Sequence, residues 1–207
     1  EICACLVGSE MCIRDRTPPL WNSLLDPQQE IDAAADCICS LLPQEGTVLV
    51  VGLGNSSITP DALGPQVAQH ILVTRHLTEE LARSLGMGFL RKTAALIPGV
   101  LGQTGVESGE LTAALVNFIQ PSAVIVVDAL AAQDYGRLGR TIQISVSGIA
   151  PGSGVQNSRK ELSRRTLGIP VLSIGVPTVI DAATLAAQLT GSSCAVSYTH
   201  LTLPTNS

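Results

Sequence analysis

Two runs of mostly aliphatic residues, Val48–Leu53 and Ala123–Val127, constrain the fold of this chain more than any other feature. A strand with one solvent-exposed face alternates apolar and polar residues, whereas a continuous apolar run is typical of a strand buried on both faces. Val171–Gly175 is a third such run. Because segments with helical spacing separate these runs, the sequence predicts an α/β fold with three layers, a mostly parallel sheet carrying helices on both faces.

Flanking segments supply the helices and the weaker strands of this prediction. Apolar residues at helical spacing predict five helices, at Pro27–Leu42, Pro65–Leu77, Glu79–Leu85, Ser108–Phe118 and Asp181–Leu189. Ser108 is the predicted N-cap of its helix, because a serine oxygen can accept one of the first free amides. Lys92–Ile97 is predicted to be a weak strand, and the alternation in Thr141–Val146 indicates an edge strand.

Composition is typical of a single globular domain. The 207 residues are 45% hydrophobic and 14% charged, which excludes a disordered chain. The aliphatic runs are far shorter than the ~20 residues of a membrane span, so we expect no membrane insertion. A net charge of −5 argues against direct nucleic-acid binding, which needs a basic face. The six cysteines have neither disulfide nor zinc spacing, which indicates a reducing, cytoplasmic compartment.

The two ends of the chain differ from the rest. Cys5–Arg16 and Ser197–Ser207 fit no periodic pattern and resemble translated sequencing-adaptor read-through. We therefore divide the chain into an adaptor-like, non-native segment at 1–16, a single α/β domain at 17–196 and a second adaptor-like segment at 197–207. Neither end segment enters the fold prediction, and we expect that removing both leaves the fold unchanged.

Two acidic residues follow the two strongest predicted strands. In an open parallel sheet, ligands and catalytic groups collect at the carboxyl ends of the strands. Asp128 comes directly after Ala123–Val127, and Asp61 lies after Val48–Leu53, where a loop becomes a helix. These strands are the most continuously aliphatic and so the most central, and we expect them to be neighbours. Asp61 and Asp128 are therefore the candidate catalytic pair, facing one cleft at this edge of the sheet.

Each aspartate alone also has an ordinary structural explanation. Asp61 can cap the helix that follows it, and Asp128 can bond the amides of a loop. As a crowded pair, one carboxyl keeps its proton, so that the ionised one can activate water while the other donates to a carbonyl oxygen. The helix N-terminus favours the ionised form of Asp61, and desolvation favours the protonated form of Asp128. The residues alone also allow the reverse, with Asp61 protonated and Asp128 ionised. Carboxylates within roughly 8 Å of each other can share one water or one peptide carbonyl.

Other catalytic motifs are incomplete in this sequence. Gly52-x-Gly54 begins like a dinucleotide-binding fingerprint, but Ser57 stands where the third glycine belongs, and neither a P-loop nor a Gly-x-Ser-x-Gly elbow occurs. His70 and His76 are six residues apart on one predicted helix and do not share a face. His200 lies in the C-terminal end segment. We therefore predict that the site uses no cofactor.

Longer stretches of the sequence resemble the germination protease family of endospore-forming bacteria. The likeness runs from about Thr47 to about Leu189, and its specificity comes from several motifs in the same order. These motifs are Gly52–Asn55, Thr59–Pro65, Leu72–Leu77, Pro98–Val100, Asp128–Ala132, Pro151–Val155, Arg159–Leu162, Leu167–Pro170 and Gly175–Thr178. Residues 17–46 are similar only loosely.

The resemblance implies an endopeptidase that degrades small acid-soluble spore proteins during germination, in the cytoplasm of the spore core. Members of the family are made as zymogens, remove an N-terminal propeptide by self-processing and assemble as homotetramers. Two aspartates have been proposed as their catalytic residues, and these correspond to Asp61 and Asp128. The family chain is longer at both ends, so the resemblance also implies that this chain is a fragment of the enzyme.

The family fold is similar to that of the nickel-dependent hydrogenase-maturation peptidases, a phosphorylase-like three-layer arrangement. Those enzymes have acids that match Asp61 and Asp128 and a histidine later in the chain, whereas only His200 follows Asp128 here. The resemblance thus implies an incomplete metal site, and we predict that the site uses no metal. The germination protease pattern also has Arg where Gln133 stands and His where Ala150 stands. Two alternatives stay open beside the aspartate-dependent endopeptidase: a metal-dependent hydrogenase-maturation-type peptidase, and a non-catalytic α/β binding domain.

Overall fold

The computed structural model describes residues 2–7, 10–16, 28–150 and 160–190 of the chain. Seven strands are present in these ranges: β1 (Ile2–Val7), β2 (Glu10–Arg16), β3 (Val48–Gly52), β4 (Thr93–Leu96), β5 (Ala123–Ala132), β6 (Thr141–Ser145) and β7 (Val171–Ile180). The helices are α1 (Gln28–Leu41), α2 (Leu63–His70), α3 (Glu79–Ser84), α4 (Leu101–Thr104), α5 (Ser108–Ile119), α6 (Arg164–Leu167) and α7 (Ala182–Thr190). Two short 3₁₀ turns lie at Thr59–Asp61 and Tyr135–Arg137.

All seven strands form one sheet in the order β1-β2-β6-β7-β5-β3-β4. Within residues 48–180, the four strands β4, β3, β5 and β7 run parallel as successive neighbours, and β6 pairs antiparallel with β7. The register between β3 and β5 places Gly52 opposite Val127. The predicted neighbourhood of the two aliphatic strands is therefore confirmed, as is the mostly parallel sheet of the domain.

Alternation along β3 divides the core into two layers. Leu49 and Val51, both fully buried, pack on one face with Val116 of α5. Val48 and Val50 pack on the other face with Val67 of α2. Full burial of one such side chain contributes about 1.5–3 kcal/mol. Helices thus cover both faces of the sheet, and the predicted three-layer α/β fold is confirmed.

Residues 2–7 and 10–16, which the sequence predicts to lie outside the domain fold, form two strands of the sheet. β1 and β2 form an antiparallel hairpin, and β2 continues the sheet by pairing with β6, from Cys12 opposite Ser145 to Arg16 opposite Thr141. A strand with one unpaired side offers backbone donors and acceptors to another strand. β6, predicted to be an edge strand, is thus covered on its outer side. That the segment is foreign to the domain stays a prediction, and residues 197–207 lie outside the described ranges.

Helix α2 is shorter than predicted, because it ends at His70 rather than Leu77. Ile71 leaves the helical conformation with φ −69° and ψ 129°. Beyond it, Thr74 is buried and bonds the start of β4: its hydroxyl donates to the Arg91 carbonyl at 2.6 Å and accepts from the Thr93 amide at 3.0 Å. These hydrogen bonds hold residues 71–77 beside β4, and they outweigh the helical propensity of this segment.

Two further differences concern element ends. The N-cap of α5 is Glu107 rather than Ser108, whose hydroxyl donates to the Gly99 carbonyl at 3.4 Å. β5 continues five residues beyond Val127, pairing with β7 through an irregularity between Leu130 and Ala131. β7 is longer with it and ends at Ile180 rather than at the predicted Gly175. The remaining predicted helices and strands differ from their expected bounds by about one residue. In the part of the chain that the structure describes, no helix is both long enough and apolar enough to span a bilayer.

Candidate functional site

Asp61 lies on the short turn Thr59–Asp61, between the end of β3 and the start of α2. The chain reverses at Gly54, whose φ of +117° suits glycine, and a Cβ at that position would collide with the Asp61 carbonyl oxygen. The backbone amide of Asn55 donates to Asp61 Oδ2 at 2.7 Å. Asp61 is therefore folded back onto the residues that leave β3.

The explanation of Asp61 as a helix cap is wrong. The N-cap of α2 is Ala62, and no side chain caps this helix. The carboxylate of Asp61 accepts the Asn55 amide instead, because the tight turn at residues 54–58 directs that amide towards it. A capping role therefore does not account for an acid at this position.

Asp128 lies inside β5 rather than at its tip, contrary to the sequence prediction. It is 8% exposed, and its register partner in β7 is Gly175. β3 ends opposite Val127, so Asp128 is the first residue of β5 that lies beyond the end of β3. Alternation places it on the α5 face with Val126. Its Oδ1 accepts the Ala129 amide at 2.9 Å, so an amide of its own strand, rather than of a loop, bonds this oxygen.

The turn that carries Asp61 contacts both β5 and β7. Backbone atoms set this approach. The Leu53 amide donates to the Val127 carbonyl at 2.8 Å. Gly52 and Gly64 lie so close that a Cβ on Gly52 would collide with the Gly64 carbonyl, and a Cβ on Gly64 would meet Leu53 and Val127. The structure thus brings the turn of Asp61 against the strand of Asp128, at the carboxyl edge of the sheet.

Three polar residues at this edge were not identified as functional from the sequence. The Thr178 hydroxyl donates to the Pro60 carbonyl, and Gln103 Nε2 donates to Asn55 Oδ1 at 3.1 Å. The sequence indicates Thr178 and Asn55 through the family motifs Gly175–Thr178 and Gly52–Asn55. Gln103 is exposed and follows no pattern, so only the three-dimensional contact identifies it.

The remaining polar candidates lie apart from this arrangement or have structural partners. Asp134 accepts the Gly136 amide at 2.7 Å and so caps the turn Tyr135–Arg137. His70 and His76 are exposed, and His70 Nδ1 contacts the Gln66 carbonyl at 2.8 Å. Within the described ranges, no group of three or more His, Cys, Asp or Glu side chains could hold a metal ion.

The two positions that depart from the germination protease pattern are both exposed. Gln133 directly follows β5, and its carbonyl accepts from Gln188 Nε2 of α7 at 2.9 Å. Ala150 is the last described residue before the gap at 151–159. Gln133 thus bonds α7 at the end of the strand that carries Asp128.

Comparison with known proteins gives one consistent family. A sequence model of the germination protease family matches residues 38–192. The germination protease of Clostridium acetobutylicum is 55% identical over 140 residues, which cover 68% of this chain and 42% of that protein. The germination protease of Priestia megaterium is 51% identical over 147 residues, covering 71% of this chain and 40% of that protein. The chain therefore spans about two-fifths of the length of these curated relatives.

Among solved structures, the chain is similar to a NiFe hydrogenase maturation protease from Thermococcus kodakarensis KOD1. The TM-score is 0.42 at 16% sequence identity, and the alignment covers 74% of this chain and 96% of the other.

Proposed function

Since this chain belongs to the germination protease family, we propose that it is part of an endopeptidase that degrades small acid-soluble spore proteins during germination. We propose further that Asp61 and Asp128 form its catalytic pair. The single observation that best supports the pair is the contact between the turn of Asp61 and the strand of Asp128 at the carboxyl edge of the sheet.

In the proposed mechanism the two carboxyl groups face one cleft and have opposite protonation states. Asp61 is assigned as the base, because it lies beside the start of α2 and accepts a backbone amide through Oδ2, which leaves Oδ1 for a water. Asp128 is assigned as the acid, because it is nearly buried and burial disfavours the charged form of a carboxyl group.

The reaction then proceeds in two steps. Asp61 removes a proton from water while the water oxygen bonds the scissile carbonyl carbon, and Asp128 donates its proton to the carbonyl oxygen. Collapse of the resulting tetrahedral diol breaks the carbon–nitrogen bond. The proton held by Asp61 passes to the leaving amine, and a diol proton returns to Asp128, so both groups regain their starting states.

The family resemblance supplies the rest of the proposal. The enzyme acts in the cytoplasm of the spore core, is made as a zymogen and assembles as a homotetramer. Its protein partners are its spore-protein substrates and copies of itself, and it binds neither nucleic acid nor membrane directly. The proposed chemistry uses only the two carboxyl groups and a water, without a cofactor.

The test uses the protein extended to the length of its relatives, incubated with a small acid-soluble spore protein with and without chelator. We expect cleavage in both conditions, and loss of cleavage in Asp61→Asn and Asp128→Asn at unchanged melting temperature. Asp134→Asn is the matched control, since Asp134 caps a neighbouring turn, and should stay close to wild type. Undiminished cleavage by either variant of the pair would end the mechanism, and cleavage that chelator abolishes and nickel or zinc restores would favour a metallopeptidase.

A further inference from the structure

The loop between β3 and α2, residues 53–62, is here called the Asp61 loop. It contains polar contacts that the proposed mechanism does not use. They join the side chains of Asn55 and Gln103, here called the Asn55–Gln103 network. Asn55 Oδ1 accepts from Gln103 Nε2 at 3.1 Å and from the Ser57 amide at 2.9 Å. The backbone amide of the same Asn55 donates to Asp61 Oδ2. The side chain of Asn55 therefore fixes the turn from which its own amide reaches the carboxylate.

This network links two separate strand ends. Asn55 follows β3, whereas Gln103 lies 48 residues later, on α4 beyond β4. Two other bonds of the loop are short in sequence range: the Ile58 amide donates to the Asn55 carbonyl at 3.1 Å, and the Asp61 amide to the Ile58 carbonyl at 2.8 Å. From the β7 side, Thr178 bonds the loop at the Pro60 carbonyl. Gln103 thus holds the loop from the β4 side.

We propose that Asn55 and Gln103 are positioning residues for Asp61, an inference that rests on the proposed role of Asp61 as the base. Asn55 holds the amide that fixes one carboxylate oxygen, and Gln103 holds Asn55. A base must keep its free oxygen within hydrogen-bond reach of the attacking water. A displacement of about 1 Å slows the chemical step while leaving substrate binding unchanged.

The kinetic test is a double-mutant cycle in the extended protein. Asn55→Ala is expected to lower kcat about tenfold and Gln103→Ala about threefold, with KM within about twofold of wild type. Because Gln103 acts through Asn55, the double variant is expected to be no slower than Asn55→Ala alone. Asn55→Asp keeps an acceptor oxygen and is expected to recover most of the lost kcat. Ser56→Ala, an exposed neighbour in the same loop, is the matched control and should change neither constant.

The cycle separates this inference from the proposed function. The positioning role would be overturned by any of three results. These are losses of kcat that multiply in the double variant, an effect on KM alone, or no recovery of kcat in Asn55→Asp. Asp61→Asn is measured beside them. If Asp61→Asn keeps wild-type kcat, the proposed function fails; if it is inactive while Asn55→Ala equals wild type, only the positioning role fails.

A second measurement needs no substrate and uses the 207-residue chain itself. Amide hydrogen exchange at residue 55 reports the bond to Asp61 directly, because local opening exposes that amide to water. We expect exchange at residue 55 to be at least about threefold faster in Gln103→Ala and in Asn55→Ala, with unchanged exchange at Val50 and Val126 in the core. Equal exchange at residue 55 in wild type and Gln103→Ala would overturn the network.

Discussion

Thr178 donates a hydrogen bond from its hydroxyl to the carbonyl oxygen of Pro60, 118 residues earlier in the chain, at 2.5 Å. Thr178 lies near the end of β7, and Pro60 directly precedes Asp61. The same turn also contacts β5. The Thr178 hydroxyl on β7 therefore holds the turn of Asp61 against the sheet, next to the strand that carries Asp128.

Replacing Thr178 with Val keeps the side-chain shape and removes only the donor. The free energy of unfolding is expected to fall by about 1 kcal/mol, a typical value for one hydrogen bond, and kcat is expected to fall with little change in KM. Thr178→Ser retains the hydroxyl and serves as the control. Urea denaturation and spore-protein cleavage measure the two effects, and a Val variant equal to wild type in both would show that this bond does not position the turn.

Gly54→Ala is expected to disrupt the Asp61 turn. The new side chain meets a φ of +117° and the Asp61 carbonyl oxygen, so a stability loss of more than about 1 kcal/mol and loss of cleavage should follow. Gly102→Ala is the matched control, because nothing lies within 4 Å of its added Cβ and alanine favours the helical backbone of α4. Thermal melts of the two variants in parallel decide the matter: equal melting temperatures would contradict the strain argument.

Arg91 is expected to be among the strongest stabilising polar residues. Its guanidinium donates to the carbonyls of Pro43, Glu45 and Gly46 and to the Ser122 hydroxyl, at 2.6–3.0 Å. Because several carbonyls lose their donor at once, Arg91→Ala should lower the free energy of unfolding by about 2 kcal/mol or more, and Arg91→Lys should recover little, since lysine lacks the planar fork.

Arg83→Ala is the control for Arg91. The Arg83 side chain forms an exposed ion pair with Glu79, at 3.2 Å. Removing it should change the free energy of unfolding by less than about 0.5 kcal/mol. Urea denaturation curves of the two alanine variants should therefore separate clearly, and overlapping curves would refute the role given to Arg91.

Removing residues 1–16 is expected to leave the three-layer domain folded. β2 pairs only with β1 and β6, at one side of the sheet, whereas the core strands β3 and β5 lie on the far side of β7. Amide exchange should become faster in β6, whose outer edge is then exposed, and stay unchanged at Val50 and Val126. Loss of cooperative unfolding in the truncated chain would instead make the hairpin an essential part of the domain.

The sequence was informative where the physical cause is local or periodic. Val48–Leu53 and Ala123–Val127 predicted two central strands because burial on both faces requires continuous apolar residues. Asp61 and Asp128 became candidate site residues because they follow these strands, and parallel strands end at the same edge of the sheet. Asp128 was expected at a strand tip, since a charged residue ends an apolar run. The strand continues because β7 supplies backbone partners as far as Ile180, and no local pattern encodes that pairing.

Contacts between distant residues set the limit of this reasoning. Helical spacing extended α2 to Leu77, but Thr74 bonds Arg91 and Thr93 instead. Gln103 on α4 and Thr178 on β7 bond the Asp61 loop from distant parts of the chain, and no local pattern of apolar and polar residues predicts either contact. Serine is a favoured N-cap residue, yet Ser108 is the first residue of α5 and Glu107 is its N-cap.

The close approach of Gly52 and Gly64 couples the position of the Asp61 loop to the packing of α2 on the sheet. Both ends of the loop are fixed by main-chain atoms, which keep their size whatever side chains surround them. Because Gly64 belongs to α2, a substitution that shifts α2 on the sheet, for example at Val67, is expected to shift the end of the loop as well. A larger residue at position 52 or 64 is expected to have the same effect, so variants that are meant to preserve the position of Asp61 should keep both glycines.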